Sequence, residues 1–147
     1  GNGWVTAGLT DNFGNMPDDY PAKKRYVELF RGMMARVEGL QGDDGFWHAS
    51  LLDPAAYPAP ETSATGFFTY SLFWGINRGL LDREHYGPAA EKGWRALCEA
   101  VHADGKVGYV QPIGAAPQQV GRDDTEVYGV GAFLMAGRQM YDYIMKP

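Results

Sequence analysis

A carboxylate and two hydroxyls, Glu61-Thr62-Ser63, stand directly before a long apolar stretch of the sequence. Oxygen groups in this position could contact a polar ligand at the mouth of a cleft. Thr62 or Ser63 could equally be a helix N-cap, because a hydroxyl there accepts hydrogen bonds from the first unpaired backbone N–H groups. The residue types allow both roles, so a ligand contact through Glu61 and Ser63 is a prediction that the structure has to test.

A second polar stretch, GRDDTE at positions 121–126, precedes another apolar run. Arg122 and the free N–H groups of a helix start could hold a substrate carboxylate, with Asp124 beside them. Acidic residues are also favoured at helix N-termini on electrostatic grounds, so capping is the alternative role. Paired carboxylates serve as acid and base in glycoside cleavage. Sequence neighbours such as Asp123 and Asp124 usually point apart, however, which argues against a catalytic pair.

Aromatic residues offer a third kind of ligand contact. Trp47, next to His48, could be a flat shelf for a sugar ring or a packing residue of the core. The three histidines, at positions 48, 85 and 102, have no metal-ligand spacing, and with a single cysteine no zinc site is indicated. The sequence contains neither a phosphate-binding glycine loop nor the G-x-S-x-G nucleophile motif. We therefore predict no metal and no cofactor, and these residues identify no catalytic group.

The composition limits the class of protein that carries these residues. With 147 residues, 45% of them hydrophobic and 21% charged, the chain is long enough and apolar enough for one helical domain over residues 1–147. A net charge of −5 without a Lys/Arg cluster argues against nucleic-acid binding. No apolar run reaches the roughly 20 residues of a membrane span, so no membrane contact is predicted.

The spacing of apolar residues indicates four helices, over residues 21–41, 62–80, 86–101 and 125–144. The first and third are amphipathic, with one apolar face. The second and fourth have few charges and are apolar on nearly every side, so we expect neighbouring elements to enclose them. This alternation of amphipathic and enclosed helices predicts an inner and an outer layer.

An internal repeat supports two layers. Asp44-Gly45 and Asp104-Gly105 lie 60 positions apart, and each of these turn signals follows an amphipathic helix and precedes an enclosed one. We predict an all-α fold of antiparallel helical hairpins that form part of an α/α toroid, with Glu61-Thr62-Ser63 at its rim. A small irregular helical bundle is the alternative.

Four motifs follow one another along the chain: GNGW at 1–4, LQGDDGFWHASLLDP at 40–54, ETSATGFFTYSLFWGINRGLLD at 61–82 and DDTEVYGVGAFLMAG at 123–137. Together they resemble the C-terminal part of the unsaturated rhamnogalacturonyl hydrolases, which are relatives of the unsaturated glucuronyl hydrolases. The resemblance extends over essentially the whole chain. It implies a six-hairpin (α/α) barrel of which this chain is the C-terminal portion, roughly the last two and a half hairpins.

The activity implied by the resemblance is the release of an unsaturated uronic acid from a pectin-type oligosaccharide, by hydration of its C4=C5 double bond. Trp4 is then expected as an aromatic wall for the substrate, Glu61 and Ser63 at the inner rim, and the loop from Arg122 to Glu126 near the uronate. In this family an Asp is the general acid, within a motif of the first half that this chain lacks, and an Arg that precedes GNGW is also missing. No catalytic residue is therefore assigned, and we expect the chain alone to be inactive.

Two further expectations concern the chain as a whole. Inner helices of a partial barrel should expose apolar flanks, so we expect association into a homodimer. Because members of the family often act on imported oligosaccharides, the cytoplasm is the expected compartment. The alternative to an enzyme segment is a non-catalytic helical module of the same origin, which binds sugars or assembles with copies of itself.

Overall fold

The computed structural model describes residues 1–146, and their regular structure is helical. The helices are α1 (Asn2–Asn15), α2 (Lys23–Glu38), α3 (Thr62–Asn77), α4 (Arg83–Glu99) and α5 (Val127–Met145), with one short 3-10 turn over Pro54–Ala56. The four predicted helices are confirmed, with ends that differ by a few residues, and α1 is the additional helix that GNGW opens. Among these 146 residues, no helix combines the length and the hydrophobicity needed to cross a membrane.

Helix α3 lies at the centre of the molecule. Fourteen of its sixteen residues are buried, and α1, α4 and α5 pack around it. Its large side chains Phe68, Leu72 and Phe73 are fully excluded from solvent, and burial of each contributes roughly 1.5–3 kcal/mol. Some polar side chains of this core bond back along the helix, as Ser71 Oγ does when it donates to the Phe67 carbonyl oxygen at 2.8 Å. The buried Thr69 hydroxyl has no hydrogen-bond partner among the described residues. The predicted enclosed helix is confirmed.

Helices α2 and α4 are the amphipathic members, and each buries a single face. The buried face of α2 carries Phe30, Met34 and Val37 at helical spacing. On α4 small residues such as Ala89 and Ala90 allow a close approach to α3. The two-layer alternation predicted from the sequence is thus present around α3.

Helix α5 departs from the sequence prediction. It packs on α3 through small residues, among them Gly129, Ala132 and Ala136. Its other side is open to solvent and presents the exposed apolar side chains Val127, Val130, Leu134, Tyr141, Ile144 and Met145. The prediction that α5 is enclosed is wrong for this chain, because within residues 1–146 only α3 packs extensively against it, and α4 touches it at a few positions.

The two turns of the internal repeat have the same hydrogen-bond pattern, over Gly42–Phe46 and over His102–Lys106. The first N–H donates to the fifth carbonyl at 2.8 Å in both turns, and the glycine N–H at the fourth position donates to the first carbonyl at 3.0 and 2.9 Å. In each turn the aspartate Oδ1 at the third position accepts from the fifth N–H at 3.1 Å. Gly45 and Gly105 have φ of +88° and +90°, a region that glycine adopts without a steric cost. The 60-residue repeat is therefore confirmed at the level of individual bonds.

Candidate functional site

A cleft of about 630 Å³ opens at the end of the molecule where α1, α3 and α5 begin. Two loops complete its walls, one over residues 48–51 and one over residues 111–117. Of the residues predicted to bind a ligand, the structure brings Trp4, Glu61 and Ser63 together in this cleft. The cleft is the rim position that the sequence predicted for the start of the enclosed helix.

Glu61 is the N-cap of α3 and is a buried residue, 3% exposed. Its oxygens accept from the N–H groups of Ser63 at 3.0 Å and Ala64 at 2.7 Å. They also accept from the Ser63 hydroxyl at 2.7 Å and from the N–H of Gln111 at 3.4 Å. All four partners are donors, as an ionised carboxylate requires. The sequence predicted Thr62 or Ser63 as the cap; the structure corrects this to Glu61.

Thr62 is not a cap because its hydroxyl is used for a long-range contact. Thr62 Oγ1 donates to the Gly108 carbonyl oxygen at 2.6 Å, and the Thr62 N–H donates to the Tyr109 carbonyl oxygen at 2.9 Å. These bonds attach the segment after the second repeat turn to the start of α3. They hold the loop over residues 111–117 next to the cleft.

Trp4 is the aromatic wall of the cleft. Its side chain is 56% exposed, and its ring lies 4.5 Å from that of Phe67 and 5.9 Å from that of Tyr128, measured between centroids. Gly3 makes this position possible, since a Cβ at residue 3 would lie 3.2 Å from Ala64 Cα. The close contact of α1 and α3 thus holds Trp4 with one surface packed and another free for a ligand.

Tyr128 and Gln111 complete this side of the cleft and were not identified from the sequence. The Tyr128 hydroxyl donates to the Gln111 carbonyl oxygen. Burial raises the pKa of the Tyr128 phenol above its usual value, and the negative charges of Glu126 and Glu61 raise it further, so the phenol remains a donor. The sequence signal that points to Gln111 is the internal repeat, because Gln111 lies 60 positions after Leu51 (111 − 51 = 60), which also lines the cleft.

The loop over residues 112–117 is closed at its base by the Gln111 side chain. Gln111 Nε2 donates to the Gln118 carbonyl oxygen at 2.6 Å, and Gln111 Oε1 accepts from the Gln118 N–H at 2.8 Å. The enclosed sequence PIGAAP is apolar and lines the cleft. Ile113 within it is 86% exposed, so an apolar side chain stands free at the mouth of the site.

His48 also lines the cleft, and both of its ring nitrogens have protein partners. Nδ1 lies 3.0 Å from the Ala59 carbonyl oxygen, and Nε2 lies 3.4 Å from Asp44 Oδ2. A carbonyl oxygen and a carboxylate both only accept, so Nδ1 donates to Ala59, and Nε2 pairs with Asp44 only when it is protonated as well. The histidine therefore connects the first repeat turn to the segment before α3.

Trp47 does not contact the cleft. Its side chain has no exposed surface, its Nε1 donates to the Val37 carbonyl oxygen at 2.7 Å, and its ring packs 5.5 Å from Phe68 between centroids. A ring in this position has no free face for a sugar. The prediction of Trp47 as a substrate-binding residue is wrong, and the packing alternative is correct.

Arg122 and Asp124 lie outside the cleft lining, in a turn that stabilises itself. Asp124 Oδ2 accepts from the Gly121 N–H at 2.7 Å, and the Arg122 guanidinium lies 3.5 Å from the carbonyl oxygens of Glu99 and Val101. The structure corrects both assignments, because neither residue lines the cleft: Arg122 is held toward the end of α4, and Asp124 bonds within its own turn. The α5 cap expected from Asp123 to Glu126 is also absent: Glu126 is the N-cap and makes no side-chain capping bond.

Asp123 is paired with a lysine instead of capping α5. Its Oδ1 lies 2.8 Å from Lys106 Nζ, and the hydrogen bond and charge of that lysine lower the pKa of the Asp123 carboxyl. Glu61 is then the only carboxyl side chain among the cleft-lining residues of the described part of the chain. A pair of opposed carboxylates for glycoside cleavage is not assembled from these residues.

Comparison with known proteins identifies the family. The sequence profile of Glycosyl Hydrolase Family 88 matches residues 1–144. An unsaturated 3S-rhamnoglycuronyl hydrolase of Formosa agariphila is 48% identical over 140 residues, which are 95% of this chain and 37% of that protein. The chain thus spans little more than a third of the length of this curated relative.

Two solved structures agree with this assignment. A polysaccharide lyase superimposes with a TM-score of 0.93 at 43% identity, over 99% of this chain and 42% of its own. A family 88 glycosyl hydrolase from Bacteroides vulgatus superimposes with a TM-score of 0.91 at 37% identity, over 96% of this chain and 42% of its own. These matches confirm the all-α hairpin fold and the family resemblance that the four motifs indicated. The chain belongs to glycosyl hydrolase family 88.

Proposed function

We propose that the chain forms one wall of the substrate cleft of a hydrolase that removes an unsaturated uronic acid from an oligosaccharide. The observation that carries this proposal is the position of Trp4, an exposed aromatic ring held beside the Glu61–Ser63 pair in a 630 Å³ cleft. An aromatic surface next to hydrogen-bonding oxygens suits a pyranose ring, which has apolar C–H faces and hydroxyls at its edge. Membership of family 88 supports a glycoside hydrolase.

The proposed reaction is a hydration followed by ring opening. A general acid protonates C4 of the C4=C5 double bond, water adds its oxygen to C5, and the water's second proton returns to a base. The product is a hemiketal that opens and releases the neighbouring sugar with its hydroxyl restored. The scheme balances without a nucleotide or other co-reactant, because the substrate and the water supply all the atoms that the products contain.

The part of this reaction that the chain performs is substrate binding. Glu61 is the only carboxyl side chain that lines the cleft within the described residues, and both of its oxygens already accept from protein donors. A general acid must carry a proton and present it to the substrate. Glu61 could do so only by giving up the cap of α3, so we place the general acid outside this chain.

The neighbouring sugar in the proposed substrate is rhamnose, attached to an unsaturated galacturonic acid as in fragments of pectin-type polysaccharide. The Formosa agariphila relative is named an unsaturated 3S-rhamnoglycuronyl hydrolase, which supports a uronic acid next to rhamnose. We therefore propose unsaturated galacturonyl-rhamnose as the first substrate to test, with unsaturated glucuronyl-rhamnose as its comparison.

A hybrid enzyme tests this proposal. The region of the Formosa agariphila relative that matches this chain is replaced by residues 1–147, and loss of the C4=C5 ultraviolet absorbance is followed with both disaccharides. We expect turnover by the folded hybrid and none by the chain alone. Trp4→Ala in the hybrid should lower kcat/KM about tenfold, the effect of losing one aromatic contact, whereas Lys24→Ala on the solvent-exposed side of α2 should leave it unchanged.

Two outcomes would contradict the proposal. Turnover by the isolated chain would mean that a general acid lies within these residues. A hybrid that has the circular dichroism of a folded helical protein and is inactive on every unsaturated uronyl disaccharide would mean that this cleft does not serve the reaction. In that case the second candidate, a non-catalytic module that assembles with copies of itself, becomes the better proposal, and the exposed apolar face of α5 favours it.

A further inference from the structure

We infer that Tyr109 is a positioning residue for the cleft, because its left-handed backbone holds Gln111 and the loop over residues 112–117 (the cleft loop) in the place where a substrate can bind. The inference rests on the proposed function in one respect, that the ligand of the cleft is the substrate of the hydrolase. Tyr109 does not itself line the cleft. It acts through Gln111, which does.

The backbone of Tyr109 has a φ of +56°, and no other non-glycine residue within residues 1–146 has a positive φ. This left-handed region is unfavourable for a residue with a Cβ atom. Such a conformation persists only where surrounding contacts impose it, and residues of this kind cluster at functional sites. Ala49, the residue 60 positions earlier in the repeat (109 − 60 = 49), has no positive φ. The unusual angle is thus a property of the second repeat alone.

The left-handed backbone directs two successive carbonyl groups to the start of α3. The Gly108 carbonyl oxygen accepts from Thr62 Oγ1 at 2.6 Å, and the Tyr109 carbonyl oxygen accepts from the Thr62 N–H at 2.9 Å. In an extended segment successive carbonyl groups point in opposite directions, so both would not reach one residue. The positive φ of Tyr109 breaks this alternation, and Thr62 donates to both oxygens.

The two residues after Tyr109 bond to the walls of the cleft. The Val110 N–H donates to the Asp124 carbonyl oxygen at 3.0 Å, and the Gln111 N–H donates to Glu61 Oε1 at 3.4 Å. The Gln111 carbonyl oxygen accepts from a tyrosine hydroxyl of α5, and the Gln111 side chain closes the cleft loop at its base. The direction in which the chain leaves Tyr109 therefore decides where the cleft loop lies.

The side chain of Tyr109 anchors this backbone. Its half-buried ring packs against a small apolar cluster of Phe46, Ala96 and Ala100, which is separate from the main core. Phe46 belongs to the first repeat turn, and the two alanines belong to α4 and its end. Burial of apolar surface in this cluster offsets the unfavourable backbone angle. Tyr109 thus connects the cleft loop to the packing of both repeat turns.

Two variants separate the backbone from the side chain. Tyr109→Asn and Tyr109→Val both remove the ring. Asparagine tolerates a positive φ, whereas a β-branched residue at such an angle is a genuine outlier. Any difference between the two variants therefore reports the backbone angle and not the lost packing. Tyr109→Phe keeps the ring and should behave like the wild type.

Amide hydrogen exchange of the isolated chain measures the position of this segment without any turnover. The Thr62 and Val110 N–H groups join the segment to its neighbours. We expect both to exchange at least about tenfold faster in Tyr109→Val than in Tyr109→Asn, because the strained segment opens locally. The Trp47 N–H, which donates to Thr65 Oγ1 at 3.0 Å in the first repeat, is the internal control and should exchange alike in the two variants.

Kinetics of the hybrid enzyme connect this position to substrate binding. Tyr109→Val should raise KM about three- to tenfold relative to Tyr109→Asn, because only molecules with the cleft loop in place bind the substrate. The two kcat values should be equal, since every molecule that has bound substrate has the loop in place. A loss of folded protein would instead lower the apparent kcat. If Tyr109→Val fails to fold by circular dichroism, Tyr109→Ala replaces it, with a difference of the same sign and smaller size.

The possible results separate this inference from the proposed function. Equal exchange rates in the two variants would overturn the inference, and so would a lower kcat at an unchanged KM. An inactive folded hybrid, together with faster exchange in Tyr109→Val, would contradict the proposed function and support the positioning of the loop by Tyr109. An active hybrid with equal KM values for the two variants would support the proposed function and overturn the inference.

Discussion

At the scale of the residue, Glu61 combines a structural role with a proposed functional one. A glutamate is not among the preferred N-cap residues, which are short side chains such as Ser, Asp and Asn. Glu61 replaces them because its carboxylate reaches the N–H groups of Ser63 and Ala64 from an extended backbone, with φ −131° and ψ 105°. The same carboxylate then fixes the Ser63 hydroxyl and the Gln111 N–H. One side chain therefore joins the helix start to the cleft.

Removing this side chain should cost stability. Glu61→Ala leaves buried donors without partners, and we expect the free energy of unfolding to fall by about 2–3 kcal/mol. The measurement is urea unfolding followed by circular dichroism. Asp82→Ala is the matched control: Asp82 caps α4 through one exposed bond to the His85 N–H at 2.8 Å, and its loss should cost about 1 kcal/mol. Equal losses for the two variants would show that Glu61 is an ordinary cap.

At the scale of the element, the contact between α3 and α5 sets the shape of the cleft. Gly66 on α3 faces Ala132 on α5, and a Cβ at residue 66 would lie 2.7 Å from the Ala132 Cβ and 3.0 Å from its carbonyl carbon. Backbone atoms cannot move aside as a flexible side chain can. The two helices are therefore as close as glycine and alanine allow, and this distance fixes where Tyr128 stands relative to Trp4.

A single methyl group at residue 66 should separate these helices. We expect Gly66→Ala to lower the free energy of unfolding by about 1–3 kcal/mol, despite the higher helix propensity of alanine, because overpacking outweighs it. Gly131→Ala is the control, since a Cβ there meets no atom within 4 Å; it should stabilise by up to about 1 kcal/mol. Thermal or urea unfolding measures the free energy of unfolding of both variants. If both were more stable than the wild type, the packing described for α3 and α5 would be contradicted.

At the scale of the whole molecule, one side of α5 is apolar and exposed, and no other helix of the described residues covers it. Leu134 and Tyr141 are 63% and 59% exposed and lie two helical turns apart on this side. Contiguous exposed apolar patches of this kind usually mark an interaction surface. The homodimer predicted from the sequence would form through such flanks, and it remains a prediction.

Light scattering after size-exclusion chromatography tests the dimer. We expect the isolated chain to show a concentration-dependent mass approaching twice 16.2 kDa. Leu134→Glu should restore the monomer, because a charge cannot be buried in an apolar contact without a partner. Leu52→Glu is the control, since Leu52 is 77% exposed and lies outside α5. A monodisperse monomer at every concentration would contradict the prediction.

Much of this architecture follows from local sequence. The apolar spacing fixes helices near residues 23–38, 62–77, 83–99 and 127–145, because helical periodicity depends only on residues a few positions apart. Gly45 and Gly105 mark turns that need a positive φ. The sequence also predicts that Trp4, Glu61 and Ser63 lie at helix starts. In a layered helical fold such helix starts lie together at the rim.

Other properties were decided by tertiary contacts alone. Trp4 and Trp47 are the same residue type, yet Trp4 is an exposed wall of the cleft on α1, whereas Trp47 follows a turn and is buried against α2 and α3. The cap at α3, the turn that retains Arg122 and Asp124, and the closure of the loop by Gln111 depend on partners distant in the sequence or on the exact path of the backbone. The exposure of α5 depends on which helices surround it. Local patterns determine which segments become helices and turns; only the folded arrangement determines which of their side chains share a surface.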